Sequence, residues 1–385
     1  MRSNIAPIGD RRLKQYKYLY QRCLDPEIIL QAYKKMRKGK TKRKEIIYID
    51  THYMQEASKI RQMLIDFIQD ESAFTPPKHE PKIIYEHGKY REIYNPEIHE
   101  QWIHHIIIQV FGPLAMNHIY RMSCGSLPNR GAHSAKNVIR RWLQDYKATK
   151  YCFKFDVRHF YKSVNLDILW EKMEERIKDN LFIRLCKRCL MHFKQGLPLG
   201  YYISQWFANY LLGPLDSLIA KLFPKYVRYM DDGVVFGGNK RKLHNLVPTV
   251  MTFLGRNFRL RIKGDWQIFR IEYIDKEGHT HGRRLDFMGF KFTRYNVTLR
   301  KRIMLNISRR AYHFSVVDKW YIKHIRAMLS GNGWLKATDS YGFYTKYIKP
   351  YVNFRKLKRI VSRIDRRERK RNDKLDTRAL SRIAC

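Results

Sequence analysis

Three aspartates in the middle of the chain have the types and spacing of metal-binding carboxylates. Asp156 lies in the apolar segment CFKFDVRHFY, and the adjacent pair Asp231 and Asp232 follows about 75 residues later in YMDDG. Oxygen ligands suit Mg²⁺, and two such ions about 3.5 to 4 Å apart can activate a hydroxyl and stabilise a pyrophosphate leaving group. Taken alone, Asp-Asp-Gly is also ordinary turn chemistry, so the interpretation depends on both segments together.

Short strands must position these carboxylates. Period-two alternation in CFKFD places Asp156 and Lys154 on one face of a strand, and Phe153 and Phe155 on the other. Apolar β-formers on both sides of Asp-Asp-Gly in YVRYMDDGVVFGG predict a hairpin. A strand aspartate and a hairpin pair can then meet at one edge of a sheet.

Helices are predicted before and after these strands along the chain. Residues 11 to 70 have apolar side chains at three-to-four spacing, and GLPLGYYISQWFANYLLGPLDSLIAKLF predicts a loop followed by one long apolar helix. The segment IIYEHGKYREIYNP predicts two short strands about a turn at His87 and Gly88. The basic run at residues 34 to 45 is either a solvated loop or a phosphate contact. From about residue 300 the sequence is helical and basic.

The charge balance indicates a polyanionic partner. The 385 residues include 77 Lys and Arg against 35 Asp and Glu, which gives a formal net charge of +42. Because 44% of the residues are hydrophobic, a disordered basic tail is excluded. The length suggests two or three domains at about 100 to 200 residues each. Nucleic acid is the default partner for so basic a folded chain.

The sequence has no secretory or membrane signal. The N-terminus lacks an apolar h-region, and no run approaches the roughly 18 to 20 apolar residues of a membrane span, so we expect a soluble, cytoplasmic protein with no membrane partner. Six scattered cysteines are too few for a disulfide framework. Cys186 and Cys189 form an isolated C-x-x-C, which we interpret as half-buried structural thiols rather than a zinc site.

A series of motifs resembles those of prokaryotic reverse transcriptases, the lineage of group II intron, diversity-generating-retroelement and defence-associated enzymes. FDVRHFYKSV is similar to their first palm motif, GLPLGYYISQWFAN to the next loop and helix, and YMDD to the catalytic hairpin. LRIKGDW is similar to the following motif, LDFMGF to the primer grip, and KYREIYNP and SLPNRGAHSA to the two fingers motifs. The resemblance covers about residues 20 to 310 in the same order.

The resemblance implies an α+β, right-hand polymerase fold that performs RNA-directed DNA synthesis. It divides the chain into an N-terminal helical extension with fingers at 1–150, a palm of antiparallel sheet and helices at 151–295, and a helical basic thumb at 296–385. Within this sequence no Cys/His cluster, H-N-H pattern or carboxylate-rich segment follows the thumb, so we expect neither an endonuclease nor an RNase H domain.

The resemblance also assigns roles to individual residues. Asp156 and Asp231 would bridge two Mg²⁺ ions, for which Mn²⁺ could substitute, with Asp232 and the Val157 carbonyl beside them. Lys263 is either the general acid for the pyrophosphate or simply an exposed lysine. Further positions would bind the incoming dNTP, namely Lys89, Arg91, Arg130, Tyr161, Leu199, Gly200 and Gln205. The primer grip would be Phe287, Met288 and Gly289. Tyr161 falls where the family carries the aromatic that blocks a 2′-hydroxyl.

One loop departs from the usual reverse transcriptase pattern. Many of these enzymes have Q-G-x-x-x-S-P, whereas this chain has Leu199, Gly200, Ser204 and Gln205 at the corresponding positions. The L-G-x-x-x-S-Q form resembles diversity-generating-retroelement enzymes and implies error-prone copying of adenines, unless Leu199 is only a packed loop residue. The fingers segment CGSLPNRGAHSA departs from those same enzymes, so a diversity-generating role and an antiphage defence role both stay open.

The C-terminal basic segment matches a thumb helix on a nucleic-acid duplex. Leu357, Ile360, Val361 and Ile364 recur at helical spacing. Basic residues between them would contact phosphates, namely Arg355, Lys356, Lys358, Arg359, Arg363, Arg366 and Arg367. The expected partners are a structured template RNA, the nascent cDNA and dNTPs, with an accessory protein or self-association left open. The alternative is a catalytically inactive RNA-binding scaffold with a polymerase fold, against which the three intact carboxylates argue.

Overall fold

The computed structural model describes residues 14–86, 88–317 and 320–381, with side chains as far as residue 367. Its helices in chain order are α1 (Leu19–Cys23), α2 (Pro26–Arg37), α3 (Lys44–Thr51), α4 (Tyr53–Asp66), α5 (Ile98–Met116), α6 (Ala132–Trp142), α7 (Phe160–Ser163), α8 (Leu166–Glu174), α9 (Asn180–Arg188), α10 (Tyr202–Leu211), α11 (Gly213–Leu222), α12 (Lys240–Phe258), α13 (Lys301–Val316), α14 (Ile322–Lys336), α15 (Tyr341–Tyr347) and α16 (Phe354–Ser381). Residues 11–13 and His87, which belong to the predicted helical segment and turn, lie outside the described residues.

The strands are short and pair mostly with near neighbours in sequence. They are β1 (Lys82–Glu86), β2 (Lys89–Ile93), β3 (Tyr151–Asp156), β4 (Tyr226–Tyr229), β5 (Asp232–Gly237), β6 (Gln267–Arg270), β7 (Tyr273–Ile274), β8 (Thr280–His281), β9 (Leu285–Phe287), β10 (Phe290–Phe292) and β11 (Val297–Leu299). Four of them form an antiparallel sheet in the order β4-β5-β3-β6, and another sheet has the order β11-β10-β9. The predicted α+β class is therefore confirmed.

The chain divides into two compact units, each built from three segments. The first unit comprises Met1–Tyr120, Arg158–Leu215 and Phe253–Arg261, and the second comprises Arg121–Val157, Asp216–Thr252 and Ile262–Cys385. The division into fingers, palm and thumb at residues 150 and 295 stays a prediction. None of the helices in the described part of the chain is both long and apolar enough to cross a membrane.

The first unit is built around helix α5. This helix is apolar on nearly all sides, which is typical of a helix buried in a protein interior. Trp102 is fully buried, and its indole N–H donates to the Ile29 carbonyl of α2 at 2.9 Å. Helix α10 packs against α5 where Gly112 leaves room for the Trp206 ring. Cys186 and Cys189, expected to be half-buried, are completely buried because α9 turns both inward.

The second unit contains the four-stranded sheet and the C-terminal helices. Phe153 and Phe155 of β3 are fully buried, whereas Lys154 and Asp156 are partly exposed on the opposite face. The alternation predicted from the sequence is therefore correct. Helices α13 to α16 follow the β9–β11 sheet, as expected from the basic helical pattern after residue 300.

One local prediction was wrong, and another was right in place but not in detail. The segment predicted as one long apolar helix forms α10 and α11, which are separated near Leu212 because Pro214 lacks an N–H and restricts the residue before it. The hairpin predicted at Asp-Asp-Gly is present, and its turn is formed by Met230 and Asp231. Gly233 lies in β5, where a Cβ would come within 2.3 Å of the Phe155 ring, so packing rather than turn geometry requires this glycine.

Candidate active site

The edge of the four-stranded sheet brings the three aspartates together. Asp156 ends β3 and pairs in register with Asp232 at the start of β5, and Asp231 lies in the turn just before it. The Val157 N–H donates to the Asp231 carbonyl at 3.1 Å, which continues the pairing beyond the end of β3. The arrangement expected from the spacing of the two motifs is therefore present, and it depends on the β3–β5 register.

Lys263 lies in direct contact with this carboxylate cluster. Its Nζ is 2.6 Å from Asp156 Oδ1, and its backbone N–H donates to the Asp156 carbonyl at 2.8 Å. A bridge between Val157 and Ile262 holds the segment in place. Burial lowers the pKa of Lys263, but Asp156 and the charges of Asp231 and Asp232 raise it by more. Lys263 is therefore a protonated cation beside the carboxylates rather than simply an exposed lysine.

The carboxylates of this cluster repel one another. Burial, and after it the negative charge of Asp156, raises the pKa of Asp232 to about 6. Asp156 Oδ1 is buried, and its close neighbour is the Lys263 ammonium at 2.6 Å. The oxygens of the three carboxylates do not all lie within 4.8 Å of one another. Carboxylate oxygens gathered at one sheet edge are the donors that suit a hard divalent cation.

A buried ion pair supports the hairpin from behind. Arg228 on β4 donates through Nε and Nη2 to the two oxygens of Asp216, each at 2.7 Å, and both side chains are fully buried. Arg228 Nη2 also donates to Ser123 Oγ at 3.0 Å, and the Tyr226 hydroxyl donates to Asp216 at 2.8 Å. Arg228 Nη1 donates to the Met230 carbonyl at 2.6 Å. The guanidinium thus fixes the peptide that immediately precedes Asp231.

The turn residue Met230 has a conformation that needs this support. Its φ is +58°, in the left-handed region that disfavours residues with a side chain. Gly125 packs against it so closely that a Cβ there would lie 2.5 Å from the Met230 sulfur. The neighbouring Cys124 N–H donates to the Arg228 carbonyl at 2.8 Å. The segment before α6 therefore buttresses the aspartate hairpin.

The predicted primer-grip residues form a hairpin turn in the same unit. Phe287 pairs with Phe290, and Met288 and Gly289 between them have φ values of +52° and +87°, as a type I′ turn requires. Lys154 Nζ donates to the Asp286 carbonyl at 2.9 Å, so the polar face of β3 that carries Asp156 is tied directly to this hairpin.

The candidate nucleotide-binding loop lies in the first unit. The Tyr94 N–H after β2 donates to the Leu199 carbonyl at 2.8 Å, and the Leu197 N–H donates to the Tyr161 carbonyl at 2.7 Å. Gly200 has a φ of +106°, and a Cβ there would lie 2.0 Å from the Tyr94 carbonyl oxygen. Only glycine fits this position, so the backbone next to Leu199 is firmly placed. Leu199 itself is half-buried.

The remaining nucleotide-binding candidates lie in both units. Lys89 and Arg91 are exposed on β2, and Arg91 Nε is 3.6 Å from a Glu86 carboxylate oxygen. Gln205 is half-buried in α10. Arg130 is half-buried in the second unit, in the loop before α6, where burial lowers its pKa. The structure therefore brings the three aspartates and Lys263 together within one unit, and it places the Leu199 loop, Tyr161 and β2 in the other.

The predicted phosphate-contacting residues all lie on one exposed face of α16. Leu357 is fully buried, and Ile360, Val361 and Ile364 are partly buried, so the apolar stripe faces the protein as predicted. The basic side chains are exposed at all seven predicted positions, namely Arg355, Lys356, Lys358, Arg359, Arg363, Arg366 and Arg367. The helix can therefore present cations to solvent or to a polyanion.

A second group of potential ligands lies in the β7–β8 hairpin. Asp275, Glu277 and His279 have ligand atoms within 4.8 Å of one another, and this is the one such group in the described part of the chain. Glu277 and His279 are exposed. Asp275 already accepts from two backbone N–H groups and contacts His281 at 2.6 Å, so the group serves to close the hairpin.

Sequence reasoning missed the supporting residues. Arg228 and Asp216 each interrupt an apolar segment, one in YVRYM and one in GPLDSLIAKL, which is the same signal that singled out Asp156. A charged residue in an apolar segment is buried only if it is paired, so the two could have been matched. Ser123 and Gly125 gave no comparable signal, because their roles depend on packing between distant segments.

Comparisons with known proteins identify similarities over most of the chain. The family model described as reverse transcriptase (RNA-dependent DNA polymerase) matches residues 76–291. A structure of Candida albicans telomerase with a fragment of telomeric RNA is 12% identical, over 72% of this chain and 55% of that one, with a TM-score of 0.42. Apo telomerase from Candida tropicalis is 13% identical, over 76% and 64%, with a TM-score of 0.44. This chain thus spans less than two thirds of either telomerase chain. A search of curated protein sequences gave no match.

Proposed function

Since this chain belongs to the reverse transcriptase family, we propose that it is an RNA-directed DNA polymerase. It copies a structured non-coding RNA into cDNA in the cytoplasm of a prokaryotic cell. The observation that carries the proposal is the cluster of Asp156, Asp231 and Asp232 with Lys263 at the sheet edge. The family resemblance of the motifs supports the prokaryotic lineage. The net charge of +42 supports a large RNA partner.

The carboxylates would hold two divalent ions, Mg²⁺ with Mn²⁺ as a substitute, together with the Val157 carbonyl. Bound there, such ions activate a 3′-hydroxyl and neutralise the pyrophosphate leaving group. Lys263 would donate its proton to the departing pyrophosphate, and its raised pKa keeps that proton available at neutral pH. Arg228 would keep Asp231 in place through the Met230 carbonyl during each turnover.

Replacing Tyr161 with alanine should admit ribonucleotides. The side chain is half-buried on α7, and the Leu197 N–H anchors the Tyr161 carbonyl at 2.7 Å, so the backbone should keep its position in the variant. Removing the ring would open space for a 2′-hydroxyl and lower the preference for dNTP over rNTP by about 10- to 100-fold. The ratio of kcat/KM for dATP and ATP measures this preference. An unchanged ratio would remove Tyr161 from sugar selection.

Replacing Leu199 with glutamine should improve copying opposite adenine. The Leu199 carbonyl is held by Tyr94 and the adjacent Gly200 admits no other residue, so the glutamine amide should extend from the same backbone position. One added hydrogen bond is worth about 0.5 to 1.5 kcal/mol, or about a two- to tenfold drop in misincorporation. Sequencing of the cDNA measures errors at adenines, with the other template bases as internal controls. If the variant and the wild type have the same error rate at adenine, Leu199 is only a packing residue.

Two biological roles are compatible with these motifs, and the nucleic acid made in the cell separates them. The protein would be expressed from its native locus and purified, and the nucleic acid bound to it would be sequenced as RNA and as DNA. A discrete RNA with a complementary DNA that has errors concentrated at adenines would support a diversity-generating retroelement. Repetitive cDNA, or cDNA that accumulates only on phage infection, would support antiphage defence.

A further inference from the structure

A cleft of about 810 Å³ opens among the C-terminal helices of the second unit. It lies between the end of α14, helix α15, the segment 349–353 and the first turns of α16. Its volume falls within the range of about 300 to 1,000 Å³ that is typical of sites for small ligands. No step of the proposed polymerase chemistry uses this cleft, so its lining has to be explained separately.

The lining of the cleft is strongly cationic. Lys336, Lys349, Arg355 and Lys358 line it, and the described lining includes no aspartate or glutamate. None of the four forms an ion pair with a described residue. Four cations around one concave site repel each other, and an anionic ligand would relieve this repulsion. A phosphate group has the required charge.

Aromatic rings line the same cleft. Tyr344 and Phe354 have nearly parallel rings, with centroids 6.2 Å apart and an interplanar angle of 28°, and Tyr351 is 41% exposed at the margin. Stacking on aromatic rings is how proteins hold unpaired bases without reading a duplex. Cations and aromatic rings in one cleft together match a nucleotide better than they match a phosphate alone.

A buried amide adds a specific polar group. Asn332 on α14 lines the cleft and is only 4% exposed, yet its side chain has no hydrogen-bond partner among the described residues. Neither the amide nitrogen nor the amide oxygen is among the fully buried polar atoms that lack a hydrogen-bond partner, so both can be reached by a ligand or by water. An amide can both donate to and accept from the edge of a base. Asn332 can therefore form hydrogen bonds with the edge of a base that stacks on the aromatic rings.

We propose that this cleft binds one unpaired nucleotide of the RNA partner, with its phosphate on the lysines, its base on the aromatic rings and its base edge on Asn332. The inference rests on the proposed function, since it takes a structured RNA as the partner. Arg355 and Lys358 belong both to the cleft and to the exposed basic face of α16, and the other cations of that face would follow a duplex backbone. The cleft would instead select RNAs that carry a single-stranded nucleotide next to a duplex.

Two lysines three residues apart provide the matched test. Lys349 lines the cleft, whereas Lys346 on α15 is exposed outside it, so Lys349→Glu and Lys346→Glu change the net charge equally. The probe is a fluorescent oligouridylate of about ten nucleotides. Lys349→Glu should weaken its binding about tenfold more than Lys346→Glu does. An equal loss of oligouridylate affinity in the two variants would mean that the oligonucleotide responds only to the net charge of the protein. That result would overturn the proposal.

Asn332→Leu separates ligand binding from folding. Because the amide has no partner, leucine should leave the melting temperature unchanged or raise it, yet weaken oligouridylate binding several-fold. Unchanged binding by this variant would overturn the proposal. Extension of a preformed DNA primer on an RNA template should stay at the wild-type rate in both cleft variants. If the wild-type protein binds the oligouridylate as described but extends no primer, the proposed function fails while the cleft assignment holds.

Discussion

Replacing Asp231 with asparagine should abolish nucleotide incorporation while leaving duplex binding intact. The substitution keeps the shape of the side chain but removes the charge that would bridge two divalent ions. Because Asp231 lies in a hairpin turn that is held by the Val157 N–H and by Arg228, its backbone should not move. We expect the rate of incorporation to fall at least about a thousandfold, which corresponds to about 4 kcal/mol of transition-state stabilisation.

Single-nucleotide incorporation on a saturating RNA template and DNA primer measures this effect. Asp167→Asn is a matched control, because Asp167 is exposed in the first turn of α8 and carries the same charge change. Filter binding of the duplex should give the same affinity for the wild type and both variants. Incorporation by Asp231→Asn at the wild-type rate would overturn the assignment of the catalytic centre.

Breaking the buried pair of Arg228 and Asp216 should have the second largest effect. Asp216→Ala leaves a buried guanidinium with its two best acceptors removed, and unpairing a buried ion pair typically costs about 3 to 5 kcal/mol of the free energy of unfolding. Arg228 would also lose its hydrogen bond to the Met230 carbonyl, because an unpaired guanidinium is more stable when it is hydrated. Urea denaturation followed by tryptophan fluorescence measures the loss of stability.

A double variant separates stability from positioning. Asp216→Leu with Arg228→Met replaces the pair by apolar side chains of similar size, which is often neutral for stability. The Met230 carbonyl, however, loses its donor, and Met230 must keep a φ of +58° without it. We expect most of the stability to return while kcat stays low at an unchanged KM for the primer–template. Full recovery of kcat together with stability would show that the pair acts only through folding.

The local pattern predicted the four-stranded sheet well because its signals are short-range. Alternation in CFKFD predicted the buried and polar faces of β3, and the β-formers around YMDDG predicted the hairpin. The adjacency of Asp156 and Asp232 followed from the order of the motifs, but their facing register required the pairing of β3 with β5. The sequence therefore predicted which residues lie close together, but not the strand register that positions them.

The contacts of Ser123 and Gly125 could not be predicted, because they join segments about one hundred residues apart. Ser123 donates to Asp216 across 93 positions, and Gly125 is required only because Met230 packs on it. The glycine in Asp-Asp-Gly was interpreted as a turn residue, although Gly233 is needed for the Phe155 ring. Steric demands of this kind depend on side chains that no local pattern specifies.

Metal-dependent primer extension tests the central claim, that the carboxylate cluster is a polymerase centre, most directly. The wild-type protein would be given a DNA primer on an RNA template with dNTPs, and extension measured over a titration of Mg²⁺ and separately of Mn²⁺. The account predicts templated extension that requires a divalent ion and that EDTA abolishes. No extension at any concentration of either ion, from protein that still binds RNA with a steep salt dependence, would contradict it and favour an RNA-binding scaffold.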